Sequence, residues 1–513
     1  MQSGKNTAYL RGGWNPVEER YDQRDASLEF ELNLETFLGL ARPPDPANLR
    51  IQSECGRQGC PDGFIYSVAS VLISCIVVSK MAAGTNVLEL TTTNWAGNIV
   101  FHRDVLQEAD SVEKIRTLVK SKGKVKALGS GHCFNTIADT DDNQLSLKPM
   151  HKVLALDDKA RTVTVDAGIT YAQLCPYLDS KGFALHNLAS LLDTTVAGAI
   201  STATHGSGNK NGNLATAVYA LEFVHANGDV VKYSRGSSHS DELNPIQAVV
   251  VGLGALGVIT RITLDIQPTY TVRQWVYENL PLEELAENFD AITSGGYSVS
   301  FFTDWQKKRI KQLWIKVREG YGQPFWGPKK YFGATLATRK LHPIEGFNAA
   351  NCTDQLGIPG PWYDRLPHFR LGSIPSAGDE LQSEYIVARS DAVDAILAVE
   401  TLGNQIGPHL FVSEIRTIAA DDLWMSTAYG RQSVAIHFTW KNELAAVQRL
   451  MTLIEGKLAP FHPRPHWGKL FTVPPAELHS EYEKLPSFLR MADEHDPSGK
   501  FRNDFLDTNL FSS

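Results

Sequence analysis

The chain has 513 residues, long enough for two or three domains, and its 43% apolar and 21% charged residues are ordinary for a soluble globular protein. Lys and Arg number 49 against 57 Asp and Glu, a formal charge of −8, which argues against nucleic acid as a main partner. Six cysteines are scattered at 55, 60, 75, 133, 175 and 352, with no second close pair to complete a zinc site, so free thiols in a reducing compartment are expected.

Residues 1–91 read as an extension unlike the rest. Residues 1–62 are polar, with Pro43, Pro44 and Pro46 and no helical period. An apolar run, FIYSVASVLISCIVV, follows at 64–78, with 17 residues between Asp62 and Lys80. A spanning helix needs about 20. The run is read two ways: as a single membrane anchor, or as part of an extension foreign to the fold, with Met81 as an alternative start. The expectation is a cytoplasmic monomer unless that run anchors it.

From Asn94 the pattern becomes orderly. ADSVEKIRTLVKSKG predicts an amphipathic helix, with Val112, Ile115, Leu118 and Val119 on one face, Asp110 as cap and Gly123 as stop. KVKAL predicts a strand into the turn Gly129-Ser130-Gly131, and His132 follows at once. VLALDDKARTVTVDAG predicts a hairpin, TYAQLCPYLDSKG a short helix and FALHNL a strand. Residues 195–212 are small and polar, letting backbone amides approach a ligand. AVYALEFVHANGDVVKYSRG predicts a hairpin turning at Asn227-Gly228. Gly252-Leu253-Gly254-Ala255-Leu256-Gly257 matches a dinucleotide fingerprint, but the β-branched VITRITLDI after it is a strand, and the required helix is missing. A boundary is expected after Gln267, giving 92–267 as one domain, 268–460 as a second and 461–513 as a C-terminal segment returning to the first.

Three places carry chemistry. Gly129 and Gly131 permit a nest of amides for an anion, or else a plain turn. In FVSEIRTI a period of two puts Glu414 and Arg416 on one face; in VAIHFTW it puts His437 and Thr439 opposite Ile436, Phe438 and Trp440. Such groups can hydrogen-bond a polyhydroxylated ligand, or line an ordinary wetted sheet. His462 and His466 have metal-like spacing, but the prolines around them forbid a regular helix and no third ligand is evident, so no metal is expected.

Together TNWAGNI (93–99), LGSGHCFN (128–135), TVAGAISTATHGSG (195–208), GALGVIT (254–260), NCTDQLGIPGPW (351–362), LQSEY (381–385), SEIRT (413–417), VAIHFTW (434–440) and RPHWGKLFTVP (464–474) resemble the alditol (xylitol) oxidases. These are flavoproteins of the vanillyl-alcohol oxidase superfamily, related to the sugar-1,4-lactone oxidases. The likeness runs from Thr92 to Leu510. It implies an α+β fold: a two-part PCMH-type FAD-binding domain and an α+β cap with a mixed or antiparallel sheet. It implies FAD bound covalently through His132, with Leu128, Gly129, Ser130, Gly131 and Cys133 around its pyrophosphate and Ala127 and Phe134 as further cofactor-binding residues. The family has serine where this chain has Cys133. Ser190 matches a serine touching flavin and substrate. Thr195, Gly198, Ser201, Thr202, Ala203, Thr204, Ile259 and His466 match FAD-contacting positions. Glu414, Arg416, Thr439 and Gln382 match the substrate pocket, with Lys469 or His437 as base.

The implied reaction takes a primary hydroxyl of an alditol to the aldehyde. Hydride goes to flavin N5, and dioxygen reoxidises the flavin to give hydrogen peroxide. An aldonolactone oxidase of the same superfamily and a non-catalytic sugar-binding protein are the alternatives.

Overall fold

The computed structural model describes residues 93–512 apart from 104, 122, 237–244 and 373–378, together with a two-residue antiparallel ladder, Tyr9–Leu10 with Phe30–Glu31. The apolar run 64–78 and Cys55, Cys60 and Cys75 lie outside the described residues. Among the described residues, no helix is long and apolar enough to cross a membrane.

Helix Val112–Lys120 buries Ile115 and Val119 and presents Glu113 and Lys120 to solvent. Its cap is Ser111 rather than Asp110. Ser111 has extended backbone and accepts from the Lys114 N–H, while Asp110 accepts from the Ser111 hydroxyl. The strand Val125–Leu128 then joins Val105–Glu108 and the central Asn143–Ser146 in a three-stranded parallel sheet. The two expected hairpins form, Val153–Asp157 with Thr162–Asp166 and Val218–Val224 with Val230–Ser234; Gly228 takes the left-handed φ of 81° at the second turn. Strand Val258–Asp265 lies between them and completes a five-stranded antiparallel sheet.

Helix Tyr171–Ser180 carries a full capping box from Thr170 and Gln173. The strand expected over 183–188 is only Phe183–Ala184. Beyond it, the Leu185 carbonyl accepts from the Tyr270 hydroxyl at 3.0 Å and the His186 carbonyl from the Tyr297 hydroxyl, so side chains replace a ladder partner. Within the small-residue stretch a short helix, Val196–Ser201, is capped by Thr195.

After Gln267 the chain enters a ten-stranded sheet. Its order is Lys330–Tyr331, Ala334–Leu336, Thr271–Pro281, Arg309–Arg318, Ser298–Thr303, Leu410–Ile418, Ser433–Lys441, Glu380–Ala388 and Arg464–Pro465, with Gly360–Pro361 beside Thr271–Pro281. All its pairings are antiparallel. Helices Leu282–Thr293, Ala392–Glu400 and Leu444–Leu458 pack on one face, against Ile415, Ile436, Phe438 and Trp440. That leaves the opposite face for polar side chains.

At its start the C-terminal segment adds an edge strand, Arg464–Pro465, to the ten-stranded sheet beside Tyr385 and Ile386. Directly after it the chain meets the first region at 467–469, and further on Val125 N–H donates to the Lys500 carbonyl at 2.9 Å. There Asn503 is buried and its amide donates to the carbonyls of Thr136, Ile137 and Asp139 at 3.0, 3.2 and 2.8 Å. Asn503→Ala removes the donor for three carbonyls at once. It is expected to cost about 2 kcal/mol, read as a lower urea midpoint with an unchanged slope; an unchanged midpoint would show that these three hydrogen bonds do not hold the tail.

Candidate active site

The turn after Val125–Leu128 is built for close approach. A Cβ on Gly129 would lie 2.5 Å from Thr195 Oγ1, and Gly131 has φ 70°. Thr195 N–H donates to Ser130 Oγ at 3.2 Å, joining the two small-residue segments. His132 follows, its ring stacked on Trp95 with centroids 5.1 Å apart. Burial pushes the His132 imidazole down to about 4 and the Cys133 thiol up to about 11, so near pH 7 the ring is neutral and the thiol protonated. The loop is clasped to the C-terminal turn: Phe134 N–H donates to the Gly468 carbonyl, and the Asn135 amide to the carbonyls of Trp467 and Lys469, each at 2.8 Å.

The second wall is the free face of the ten-stranded sheet. Register sets Phe302, Glu414, His437 and Glu384 in one row across four strands, with Thr439 and Gln382 paired beside it. Glu384 is fully buried; its two oxygens accept from Arg416 Nη2 and Lys469 Nζ, both at 2.6 Å. Lys469 Nζ also lies 2.9 Å from His437 Nδ1, and His437 Nε2 lies 3.0 Å from Thr439 Oγ1. Glu414 Oε1 is 2.8 Å from His368 Nε2.

Charge explains how these groups coexist. Burial alone would raise the Glu384 carboxyl, but Lys469 and then Arg416 outweigh it and hold it well below the usual range. Burial likewise opposes ionisation of Glu414, and Arg416 followed by His368 reverses that. Burial, followed by the Lys469 charge, holds His437 and His466 well below the usual imidazole range. Lys469 itself is drawn down by burial, with Glu384 opposing.

Both walls face one cavity of about 790 Å³. It is lined by Ala127, Leu128, Gly129, Ser130, Gly131, His132, Cys133, Phe134, Ser190, Thr195, Gly198, Ser201, Thr202, Thr204, Ile259, Gln382, Glu414, Arg416, His437, Thr439, His466 and Lys469. Ala203 is the one expected position not on the wall; it is fully buried behind it at a left-handed φ of 55°. Gly252, Gly254 and Gly257 of the rejected fingerprint also reach the cavity, without a helix behind them. His462 does not accompany His466: it sits at the surface beside Glu481 at 3.0 Å. His466 instead shares a buried corner with His205 and Glu384, a grouping with metal-like geometry. Lys469 and Arg416 already occupy both Glu384 oxygens, and two cations there oppose a third.

Sequence reasoning passed over Glu384, His205, His368, Trp95 and Asn135, all of which line the cavity. Glu384 was within reach: the period of two that pairs Glu414 with Arg416 pairs Gln382 with Glu384. The other four sit outside regular strands, where no period marks a face.

Comparison with known proteins gives this geometry a family. A FAD binding domain family matches residues 105–234, and a D-arabinono-1,4-lactone oxidase family matches residues 380–509. A solved structure of a solvent-stable cholesterol oxidase shares the fold at TM-score 0.66 and 15% identity, covering 81% of this chain and 96% of that one. The fold and the matched domains make this a FAD-dependent oxidoreductase of the PCMH-type superfamily. Alditol oxidase of a Streptomyces species is 42% identical over 422 residues, 82% of this chain and 99% of the relative. L-gulono-1,4-lactone dehydrogenase of Mycobacterium tuberculosis and L-gulonolactone oxidase of Mus musculus are each 27% identical, over 80% and 81% of this chain and 97% of each relative. The chain belongs to the alditol oxidase family. The residues present fit FAD, because the cradle of Gly129 and Gly198 against Thr195 has no room for a Cβ and leaves backbone on the cavity wall.

The Glu384 cluster generates a pH prediction. Glu384→Gln breaks a buried ion pair and is expected to cost about 3–5 kcal/mol at pH 7. The folded carboxyl lies below its unfolded value, so its contribution is present above the ordinary carboxylate range and is lost as pH falls through the depressed value. Urea unfolding of both proteins should show the gap closing on acidification; a pH-independent gap would refute the assignment.

Proposed function

We propose that the protein oxidises a primary hydroxyl of an alditol, of the xylitol or sorbitol kind, to the aldehyde. The observation that supports this reading most is the buried polar row facing the cavity that His132 lines. Arg416 Nε is buried there without a hydrogen-bond partner among the described residues, a donor suited to a hydroxyl oxygen. In this reading FAD is held covalently through His132, whose neutral ring keeps a nitrogen lone pair available for the bond. Bound FAD supplies the acceptor for the hydride and passes its electrons to dioxygen, giving hydrogen peroxide.

The protein's own residues bind, orient and deprotonate. Glu414, Arg416, Thr439 and Gln382 hold the hydroxyls of the chain, and Ser190 holds the end nearest the cofactor wall. Lys469 takes the hydroxyl proton, since burial draws down its pKa. With Lys469 donating to its Nδ1 and Thr439 beside its Nε2, His437 has no free lone pair and orients the lysine. The cytoplasmic monomer and the division at 92–267, 268–460 and 461–513 belong to the same reading. An aldonolactone oxidase is the second reading, favoured by the family matched at residues 380–509.

A peroxide assay across alditols, aldonolactones and aldoses decides between them. Alditols are expected to exceed lactones at least about tenfold in kcat/KM, a difference of about 1.4 kcal/mol in transition-state binding; turnover of lactones alone would overturn the polyol reading. His132→Ala should leave a colourless pellet after acid precipitation, where the wild-type pellet stays yellow; a yellow variant pellet would place the attachment elsewhere. The rate of flavin reduction should rise with pH through the lowered Lys469 value. Lys469→Met should abolish that limb and cost about 10²–10⁴ in rate, whereas His437→Gln should keep the limb. Loss of the limb in the histidine variant would move the base to His437.

A further inference from the structure

We propose that Lys316 and His368 form a positioning relay that fixes the Glu414 carboxylate for hydroxyl recognition. The proposal rests on the polyol reading above. Lys316 lies on strand Arg309–Arg318, where pairing with Ser298 puts it on the cavity-side face with Trp314. It is 1% exposed, and no carboxylate is within ion-pair distance of it among the described residues. Its ammonium meets three acceptors: the Leu366 carbonyl, the Pro367 carbonyl at 3.0 Å and His368 Nδ1 at 3.2 Å. An ammonium has three N–H groups and no lone pair. Donors and acceptors therefore match in number, and Nδ1 must accept.

The other end of the ring requires the same tautomer. Glu414 is ionised and can only accept, so the proton sits on His368 Nε2, 2.8 Å from Glu414 Oε1. Burial lowers Lys316 to about 7 and His368 to about 4. Even an uncharged amine keeps two N–H groups, enough to serve Nδ1. Phe302 and Trp314 meet the imidazole edge-on at centroid distances of 5.2 and 5.3 Å, so the ring cannot swing freely. Glu414 Oε2 lies 3.6 Å from Arg416 Nε, beyond hydrogen-bond distance. One oxygen is thus taken by the relay and the other is left to a ligand. Neither Lys316 nor His368 needs to touch substrate for this; each acts through the next.

Four variants of the full-length holoenzyme test the relay: His368→Gln, His368→Phe, Lys316→Met and the double Lys316→Met/His368→Phe. A glutamine amide can accept from Lys316 and donate to Glu414, as the ring does; phenylalanine can do neither. His368→Phe is expected to lose about 10–100-fold in kcat/KM for the alditol, mainly through KM, the cost of a hydrogen bond to a charged group. His368→Gln should stay within about threefold. Lys316→Met should be damaging alone and add nothing in the double variant, the non-additivity of groups acting through one another. Flavin absorbance and the thermal midpoint certify that each variant is folded; should Lys316→Met fail that check, the two His368 variants decide. A fully active His368→Phe, a His368→Gln as poor as His368→Phe, or losses that multiply would each overturn the relay. A wild type without alditol turnover would instead remove the polyol reading, and the relay with it; a wild type active on alditols separates the two failures.

Discussion

The Glu384 carboxylate is shut away from water and shared by two cations from different parts of the chain, Arg416 two strands away across Ser433–Lys441 and Lys469 on the C-terminal turn. Its own carbonyl accepts the His466 N–H at 3.0 Å, so one residue fixes three segments. Burying an ionised carboxylate costs several kcal/mol, and only close, well-directed partners offset that. Counted with Glu414 and with Lys469 protonated, two carboxylates face two cations and the group is neutral as a whole; it carries one net negative charge only while the Lys469 amine is free to take a proton. A neutral group can be left beside an uncharged ligand. A charged ligand would leave one member of the set uncompensated in a place where compensation from water is not available. The cluster therefore selects for uncharged, hydrogen-bonding molecules before any shape is considered.

The same turn links that cluster to the other wall. Asn135 reaches from the glycine loop to the carbonyls on either side of Gly468, and Phe134 N–H takes the carbonyl of Gly468 itself. A Cβ at Gly468 would lie 3.1 Å from Cys133 Sγ, so the two loops touch with no side chain between them. The imidazole proposed to carry the cofactor and the amine proposed to take the proton thus hang from one hydrogen-bonded clasp. The clasp fixes the backbone of both, and Glu384 and His437 fix the far end of the lysine side chain. That is the condition under which a reacting carbon can be held in one place.

How much of this was legible depended on periodicity. The faces of Leu410–Ile418 and Ser433–Lys441 were readable because strand side chains alternate, and the apolar partners Phe438 and Trp440 marked the inward side. What the sequence could not carry was register. Nothing local says that Glu414 lies opposite His437 and that His437 lies opposite Glu384; that depends on strands tens of residues apart. Residues in irregular chain were harder still. His368 lies in the proline-rich stretch 356–369, which reads as loop, and its importance comes wholly from Lys316 and Glu414 arriving from two strands of the ten-stranded sheet. The helix start at Ser111 rather than Asp110 is a smaller instance, decided by which residue adopts extended backbone.

The glycine run Gly252–Gly257 shows why a motif must be judged together with the element on its C-terminal side. In a dinucleotide fold such a run opens a helix whose free N–H groups meet phosphate. Here Val258–Asp265 is a strand, inserted between two hairpins of the five-stranded sheet, so no helix end is available. The run reaches the cavity all the same, and it is held from behind by Lys126, whose buried amine donates to the Gly254 carbonyl at 3.2 Å and the Phe501 carbonyl at 3.0 Å. Glycine serves close backbone approach in both settings. The difference lies in what supplies the polar contact: helix N–H groups in one case, a loop tied to the C-terminal tail in the other. A cholesterol oxidase shares this fold at 15% identity. A shared fold at so little common sequence carries no reaction with it, so the chemistry has to be argued from the side chains of the site itself.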